Sequence, residues 1–333
     1  MGMNDYGIDL GTVNTLIYKR NKGIIVNEPS IIAVDTYNDK TIAVGKEAKA
    51  MWGRVPSTIS VDYTIQDGVI ASFDKTAKML KTFVGNTKNG GLGGIRTIMS
   101  IPCRATAVER RAVEDAAYAI HAKKVFLIEE PLAAAIGSGL PIFEPCGRMV
   151  VDLGGGTAEI AVISLGGVVS YNSLFAAGNQ LNHDIISYVR REHNILIGEP
   201  TAETLKISLA SVEDYGTMDF MTVSGRDLTR GLPVNIAIST DDIREAISPT
   251  IQSIVDGIRY TLEHIDPELS ADIIDNGILL SGGTSLIPGW PELIYNSIGV
   301  QAELSSFPIE CVAVGAGNAF DMLEKLKKYN SLI

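Results

Sequence analysis

The stretch Val150–Gly167, VVDLGGGTAEIAVISLGG, decides the reading of this chain, because residues 6–18, YGIDLGTVNTLIY, follow the same plan. Each runs from apolar residues into Asp-Leu-Gly, through small polar residues, and back into a second apolar run. A strand that ends in Asp and turns through Gly makes a tight hairpin whose backbone N–H groups converge on one concavity. Glycines let that backbone approach a ligand closely, and such a nest of donors binds anions. A carboxylate repels phosphate unless a divalent cation lies between them, so Asp9 and Asp152 make sense as partners of such a cation, mostly through the metal's waters. One such hairpin is an ordinary turn. Two of them, far apart in the chain, read as a duplicated domain gripping a polyphosphate from opposite sides.

Bulk properties agree. At 333 residues the chain is long for a single core, and two lobes are expected. A content of 46% hydrophobic and 20% charged residues is ordinary for a soluble globular protein. The net charge of −11 disfavours nucleic acid as a partner, and anionic membrane too unless basic residues cluster locally. Cys103, Cys146 and Cys311 are scattered and outside metal-ligand spacing, which reads as buried thiols in a reducing compartment. The start, MGMNDYGIDL, has neither a basic region nor an apolar core, and no window approaches the roughly 18 apolar residues of a membrane span. A cytoplasmic location is expected.

Strands and helices alternate along the chain. Short apolar, β-branched runs lie at 31–34, 96–102, 124–129, 149–153, 159–165 and 277–283. Helical periodicity appears at 106–122, where Val108, Ala112, Ala116 and Ile120 share a face, and again at 180–194, 201–212 and 241–265. The class is α/β, with mixed sheets because each half opens on a hairpin. NTKNGGLGG (86–94) reads as a flexible loop, and GLPIFEPCGR (139–148) as a soft boundary before the second hairpin.

Two further stretches suit the same cleft. In SGGTSLIPG (281–289), Gly282 and Gly283 allow backbone to lie flat against a base or ribose. In FLIEEPLAAAIGSG (126–139), two acids end a strand and Pro131 opens a helix. An acid in the first turn suits the helix dipole, so capping accounts for one of them, and orienting a water near a phosphate for the other.

The set IDLGTVNTLIY, NEPSIIAV, VERRAVEDAA, VFLIEEPLAAAIGSGLP, MVVDLGGGTAEIAVISLGGVV and TAETLKI resembles the MreB family of bacterial actins over essentially the whole chain. The wider superfamily includes actins, sugar kinases and seventy-kilodalton heat-shock chaperones. The resemblance implies an actin-like (ribonuclease H-like) duplicated fold: two lobes, each with a larger inner and a smaller outer subdomain, around ATP or ADP with Mg²⁺. It implies an inner first subdomain of 1–32, 74–142 and 316–333, with 33–73 as its outer partner. The second lobe would have 143–178 and 241–315 as inner and 179–240 as outer subdomain. Gly11, Thr12, Val13 and Asn14 would form the first phosphate loop, and Gly154, Gly155, Gly156 and Thr157 the second. Gly178, Gly282, Gly283 and Thr284 would line the adenosine side, with Glu203 and Lys206 reaching the ribose or base. Glu130 would orient the water that attacks the γ-phosphate, helped by the Thr157 hydroxyl. No cation stands in the first loop unless Lys19 reaches back, so turnover is expected to be slow. The family also implies head-to-tail homopolymers, paired protofilaments, and a place at the inner face of the cell membrane directing cell shape.

Some residues depart from the family pattern. The start is polar, and the loop of the first lobe offers only Leu92 and Ile95 as apolar groups for membrane contact. The C-terminal Met322, Leu323, Leu326 and Tyr329, flanked by Lys325, Lys327 and Lys328, form a substitute amphipathic face, or else a helix docked on its own lobe. Ala158 replaces a second Thr, Thr284 a third glycine, and Asn179 a common acid, which point to a divergent paralogue with a role in shape or motility. Glu109, Arg110 and Arg111 read as a solvated face or polymer contact, Trp52 and Trp290 as core. His121, His183, His193 and His264 share no metal spacing. The alternative is a non-polymerising enzyme of the same fold, a chaperone-like or sugar-kinase-like ATPase. It lacks support, since neither a peptide-binding domain nor the larger insertions of sugar kinases is visible.

Overall fold

The computed structural model describes residues 4–86, 94–329 and 331–332. Its two five-stranded sheets repeat one topology. In the first, Asn4–Leu10 pairs antiparallel with Asn14–Lys19, which pairs antiparallel with Gly23–Pro29. On its other edge Asn4–Leu10 runs parallel to Ile95–Ile101, which is followed by Ala122–Glu129, also parallel. The second sheet has the same order: Arg148–Leu153, Ala158–Ser164 and Gly167–Leu174 as a meander, with Ile278–Ser281 and Ala302–Leu304 parallel on the far side. The duplication expected from the twin hairpins is therefore carried by the whole sheet. Two three-stranded sheets form smaller satellites, Thr41–Val44, Ile31–Asp35 and Ile59–Tyr63 in the first half, Ile195–Leu196, Phe220–Asp227 and Pro233–Ser239 in the second.

Each large sheet has its own core. One packs Ile8, Met99 and Leu127 against Met79, Leu80 and Phe83 of the helix Phe73–Asn86. The other packs Val151, Ile160 and Leu280 against the helices Gly178–His193 and Thr240–Glu263. A third cluster lies between the sheets, where Ile98, Val150 and Leu279 meet the helices Glu130–Gly137 and Cys311–Asn318. These two helices touch backbone to backbone. A methyl group added at Gly137 would sit 1.9 Å from the Cys311 carbonyl oxygen, and one at Gly315 1.8 Å from that of Ala133. The alanine-rich sequence and paired glycines thus serve close approach.

Several sequence expectations need correction. On Ala107–Ala119 the buried stripe is Val113, Ala116 and Ala117, continued by Ile120, while Val108 is 79% exposed. Ala116 and Ile120 of the expected face are buried, but Val108 is not: the first turn is held by its capping box, Thr106 with Glu109, and not by packing. Of the residues read as a solvated or polymer face, Glu109 is that cap, Arg110 Nε donates to the Ala105 carbonyl, and only Arg111 pairs on the surface, with Glu114 and Asp115. Ile95 is the buried first residue of a strand and is not available for membrane contact. Leu92 lies outside the described residues. The C-terminal helix, Leu323–Lys328, turns its apolar face inward: Leu326 is fully buried and Met322 and Leu323 pack on the inter-sheet cluster. Its lysines stand over aromatic rings, Lys325 over Phe143 and Lys327 over Phe126. The docked reading is the one observed. Trp290 is fully buried, whereas Trp52 is half-buried and edge-on to Tyr63 in the first small sheet. Among the described residues no helix is long and apolar enough to cross a membrane.

Candidate functional site

The two hairpin turns face each other across a cavity of about 480 Å³. Asp9, Gly11, Thr12, Val13 and Asn14 line one side, Asp152, Gly154, Gly155, Gly156 and Thr157 the other. Glu130, Gly178, Glu203, Lys206, Gly282, Gly283 and Thr284 complete the predicted set, and all of them line the same space. The tips are in contact. A methyl group on Gly155 would lie 2.2 Å from Val13 Cγ2, and one on Gly156 2.5 Å from Thr12 Oγ1. Glycine is required there because the two turns interlock.

Each turn is braced by its neighbours. Ser30 Oγ donates to the Gly11 carbonyl at 2.6 Å, and the Gly68 N–H donates to Thr12 Oγ1 at 3.0 Å. In the second turn Thr284 Oγ1 donates to the Gly154 carbonyl at 2.7 Å, and the Asn179 N–H to that of Gly155 at 2.7 Å. Thr284 therefore buttresses the phosphate loop, and Trp290 Nε1 donates to its carbonyl at 3.0 Å. Asn179 serves the loop through its backbone. Gly282 takes the left-handed region (φ +82°) with its Cα against Leu153 backbone, a position closed to a side chain.

The carboxylates are arranged symmetrically. Ser100 Oγ donates to Asp9 Oδ1 at 2.8 Å, and Ser281 Oγ to Asp152 Oδ1 at 2.7 Å. Each serine sits on the parallel strand beside its aspartate, so the repeat extends to the partners of the acids. Burial pushes the Asp9 carboxyl up to about 7, with the nearby Asp152 charge adding to it and the Ser100 bond opposing. Burial likewise raises Asp152 against its Ser281 bond. Glu130 is held well above the ordinary carboxylate range by burial and by the charges of Glu159, Asp9 and Asp152. Acids crowded this way are costly without a cation. Among the described residues no group of three or more His, Cys, Asp or Glu stands in a metal-holding arrangement. Two facing carboxylates without a full cage suit Mg²⁺, which keeps most of its waters and takes phosphate oxygens as ligands.

Glu129 occupies the N-cap position of Glu130–Gly137 but makes no side-chain capping bond, so the capping role expected for one acid of the pair is not used. Glu130, the first helical residue, is the one in the cavity. At the mouth, Lys206 Nζ donates to the Gly178 carbonyl at 2.9 Å and to Glu203 at 3.0 Å, while Asn182 Nδ2 donates to Glu203 at 2.7 Å. Lys206 and the charges around Glu203 outweigh burial and lower its carboxyl. Burial together with Glu203 and Glu199, both on the helix Glu199–Leu209, pushes the Tyr63 hydroxyl of the first small sheet up to about 12. Lys19 stands 5.2 Å from the Tyr6 ring centre and does not line the cavity, whereas Lys49, unremarked in the sequence, does. Apolar Ile207, Leu286, Ile287, Pro308 and Ile309 form a wall suited to a flat base.

The MreB/Mbl protein family profile matches residues 3–328. The chain belongs to the MreB/Mbl family. It is 42% identical over 329 residues to the cell shape-determining protein Mbl of Bacillus subtilis (strain 168), covering 98% of this chain and 99% of that one. It is also 42% identical over 330 residues to the cell shape-determining protein MreB of Escherichia coli (strain K12), covering 97% and 95%. Among solved structures it is similar to MreB5 of Spiroplasma citri bound to ADP, with a TM-score of 0.92, 33% identity, and coverage of 98% and 99%. The same protein bound to AMPPNP gives a TM-score of 0.92, 32% identity, and 99% coverage of both chains. The fold is the actin-like duplicated α/β fold of that family.

Proposed function

We propose that this MreB/Mbl-family chain is a filament-forming bacterial actin that binds and slowly hydrolyses ATP and contributes to cell shape or motility. The observation that carries this reading is the meeting of two glycine turns from duplicated sheets across a cavity that holds Asp9, Asp152 and Glu130. The N–H groups of residues 11–14 and 154–157 would receive the phosphates, and the apolar wall with Gly282, Gly283, Glu203 and Lys206 the adenosine. Mg²⁺, held through water by Asp9 and Asp152, would neutralise charge between them and the phosphates. Glu130, buried at a helix start, would orient the attacking water with Thr157 beside it. We keep the subdomain division given above, with the strand Ile31–Asp35, which the 32/33 boundary would cut, assigned whole to the first outer subdomain because it pairs with Thr41–Val44 and Ile59–Tyr63.

Lobe closure on nucleotide would bias a head-to-tail contact that repeats without closing, giving single or paired protofilaments. We place the polymer in the cytoplasm at the inner membrane face. Because the C-terminal apolar face is packed inward, attachment there would need another surface or a membrane-protein partner. Sedimentation with ATP and Mg²⁺ tests assembly: a threshold protein concentration is expected, and a pelleted fraction independent of concentration contradicts it. Glu130→Ala is expected to abolish phosphate release while still binding nucleotide.

A further inference from the structure

Glu159 has no place in the site as read from the sequence, yet it is the most enclosed acid near it. It lies on Ala158–Ser164, directly opposite Asp152 in the ladder, and is 0% exposed. Its Oε2 accepts from Ser173 Oγ at 2.7 Å on the neighbouring strand and from the Cys103 N–H at 3.2 Å. Cys103 follows the first-sheet strand Ile95–Ile101, so that second bond runs between the two halves of the molecule. Oε1 has no hydrogen-bond partner among the described residues. A carboxylate set in an apolar strand with one oxygen unsatisfied is costly. After burial itself, the Glu159 charge is the largest influence raising Glu130.

We infer that Glu159 is a positioning residue for hydrolysis: its free oxygen holds, through a bound water, the Glu130 carboxyl in line with the attacking water. This rests on the role given to Glu130 above. The Cys103 bond adds a regulatory consequence. Ser173 holds Glu159 from its own sheet and Cys103 from the other half, so lobe movement that breaks the Cys103 bond reaches Glu130 through it.

The test compares phosphate release and ADP affinity for the whole protein and for Glu159→Gln, Ser173→Ala and Glu130→Ala. Gln keeps one oxygen for the Ser173 and Cys103 donors and replaces the free oxygen with an NH₂ group. Glu159→Gln is expected to lower kcat by about tenfold or more while ADP affinity stays within about threefold. Ser173→Ala, which frees the carboxylate to swing, is expected to lower kcat by several-fold and serves if Glu159→Gln does not fold. Wild-type kcat in either folded variant, with Glu130→Ala inactive, overturns the inference and leaves the proposed function standing. A wild-type protein that releases no phosphate overturns the hydrolysis reading, and this inference with it.

Discussion

Gly156→Ala probes the meeting of the two turns directly. The added methyl would lie 2.5 Å from Thr12 Oγ1, 3.1 Å from Thr12 Cβ and 3.0 Å from Asp67 Cα. Ordinary contact demands close to an ångström more, and neither neighbour yields freely. Asp67 is met at its backbone, and Thr12 Oγ1 already accepts the Gly68 N–H at 3.0 Å. Overpacking of this kind costs about 1–3 kcal/mol. The strain falls on the closed arrangement that would hold nucleotide, so ADP should bind about 5- to 150-fold more weakly. Isothermal titration with ADP and Mg²⁺ measures this, with Gly85→Ala as control, since a methyl group there meets nothing within 4 Å. Wild-type ADP affinity in Gly156→Ala would refute the claim that the turns interlock around the ligand.

Other consequences follow from the same geometry. Gly315→Ala drives a methyl into the Ala133 carbonyl and should destabilise by about 3 kcal/mol or more in chemical denaturation, since backbone cannot move aside. Trp290→Ala empties a fully buried site and removes the bond to the Thr284 carbonyl, so a loss of about 3–5 kcal/mol is expected, with weaker nucleotide binding as the turn loosens. Asp9→Asn addresses the buried acid. With a folded pKa raised from 3.8 to about 7, Asp9 favours the folded state least once both states are ionised, above about pH 7. Without Mg²⁺ or nucleotide, the variant should therefore be more stable than wild type at pH 8, by about 4 kcal/mol from a shift of roughly three units. The gain should shrink as pH falls from 7 toward 4. Thermal melts in a chelator check it, and a gain constant across that range would show that Asp9 is not the group responsible.

The twin hairpins were legible because turn chemistry is local: Asp, Gly and small polar residues between apolar runs specify the bend wherever it occurs. The acid pair Glu129-Glu130 was legible for the same reason, standing between a strand and a proline-started helix, but the choice of Glu130 came from the family resemblance. Ser100 and Ser281 were not, since only the parallel pairing of distant strands brings them beside Asp9 and Asp152. Their equivalent places in the two halves were a usable signal. Glu159 also left one, an acid inside the otherwise apolar run AEIAVIS. Lys49 reaches the cavity only through the packing of its helix, Gly45–Met51, on the first small sheet, which no local pattern encodes. Val108 and the C-terminal helix show the limit of periodicity: it finds an apolar face without saying whether that face, or a neighbouring column, is covered.

The central claim is that one nucleotide sits between the two turns with its metal on the aspartate side. A crystal structure of this protein with AMPPNP and Mg²⁺ tests it most directly. Phosphates bracketed by residues 11–14 and 154–157, with the cation's waters on Asp9 and Asp152, are expected. Nucleotide bound elsewhere, or phosphates touching only one turn, would contradict it.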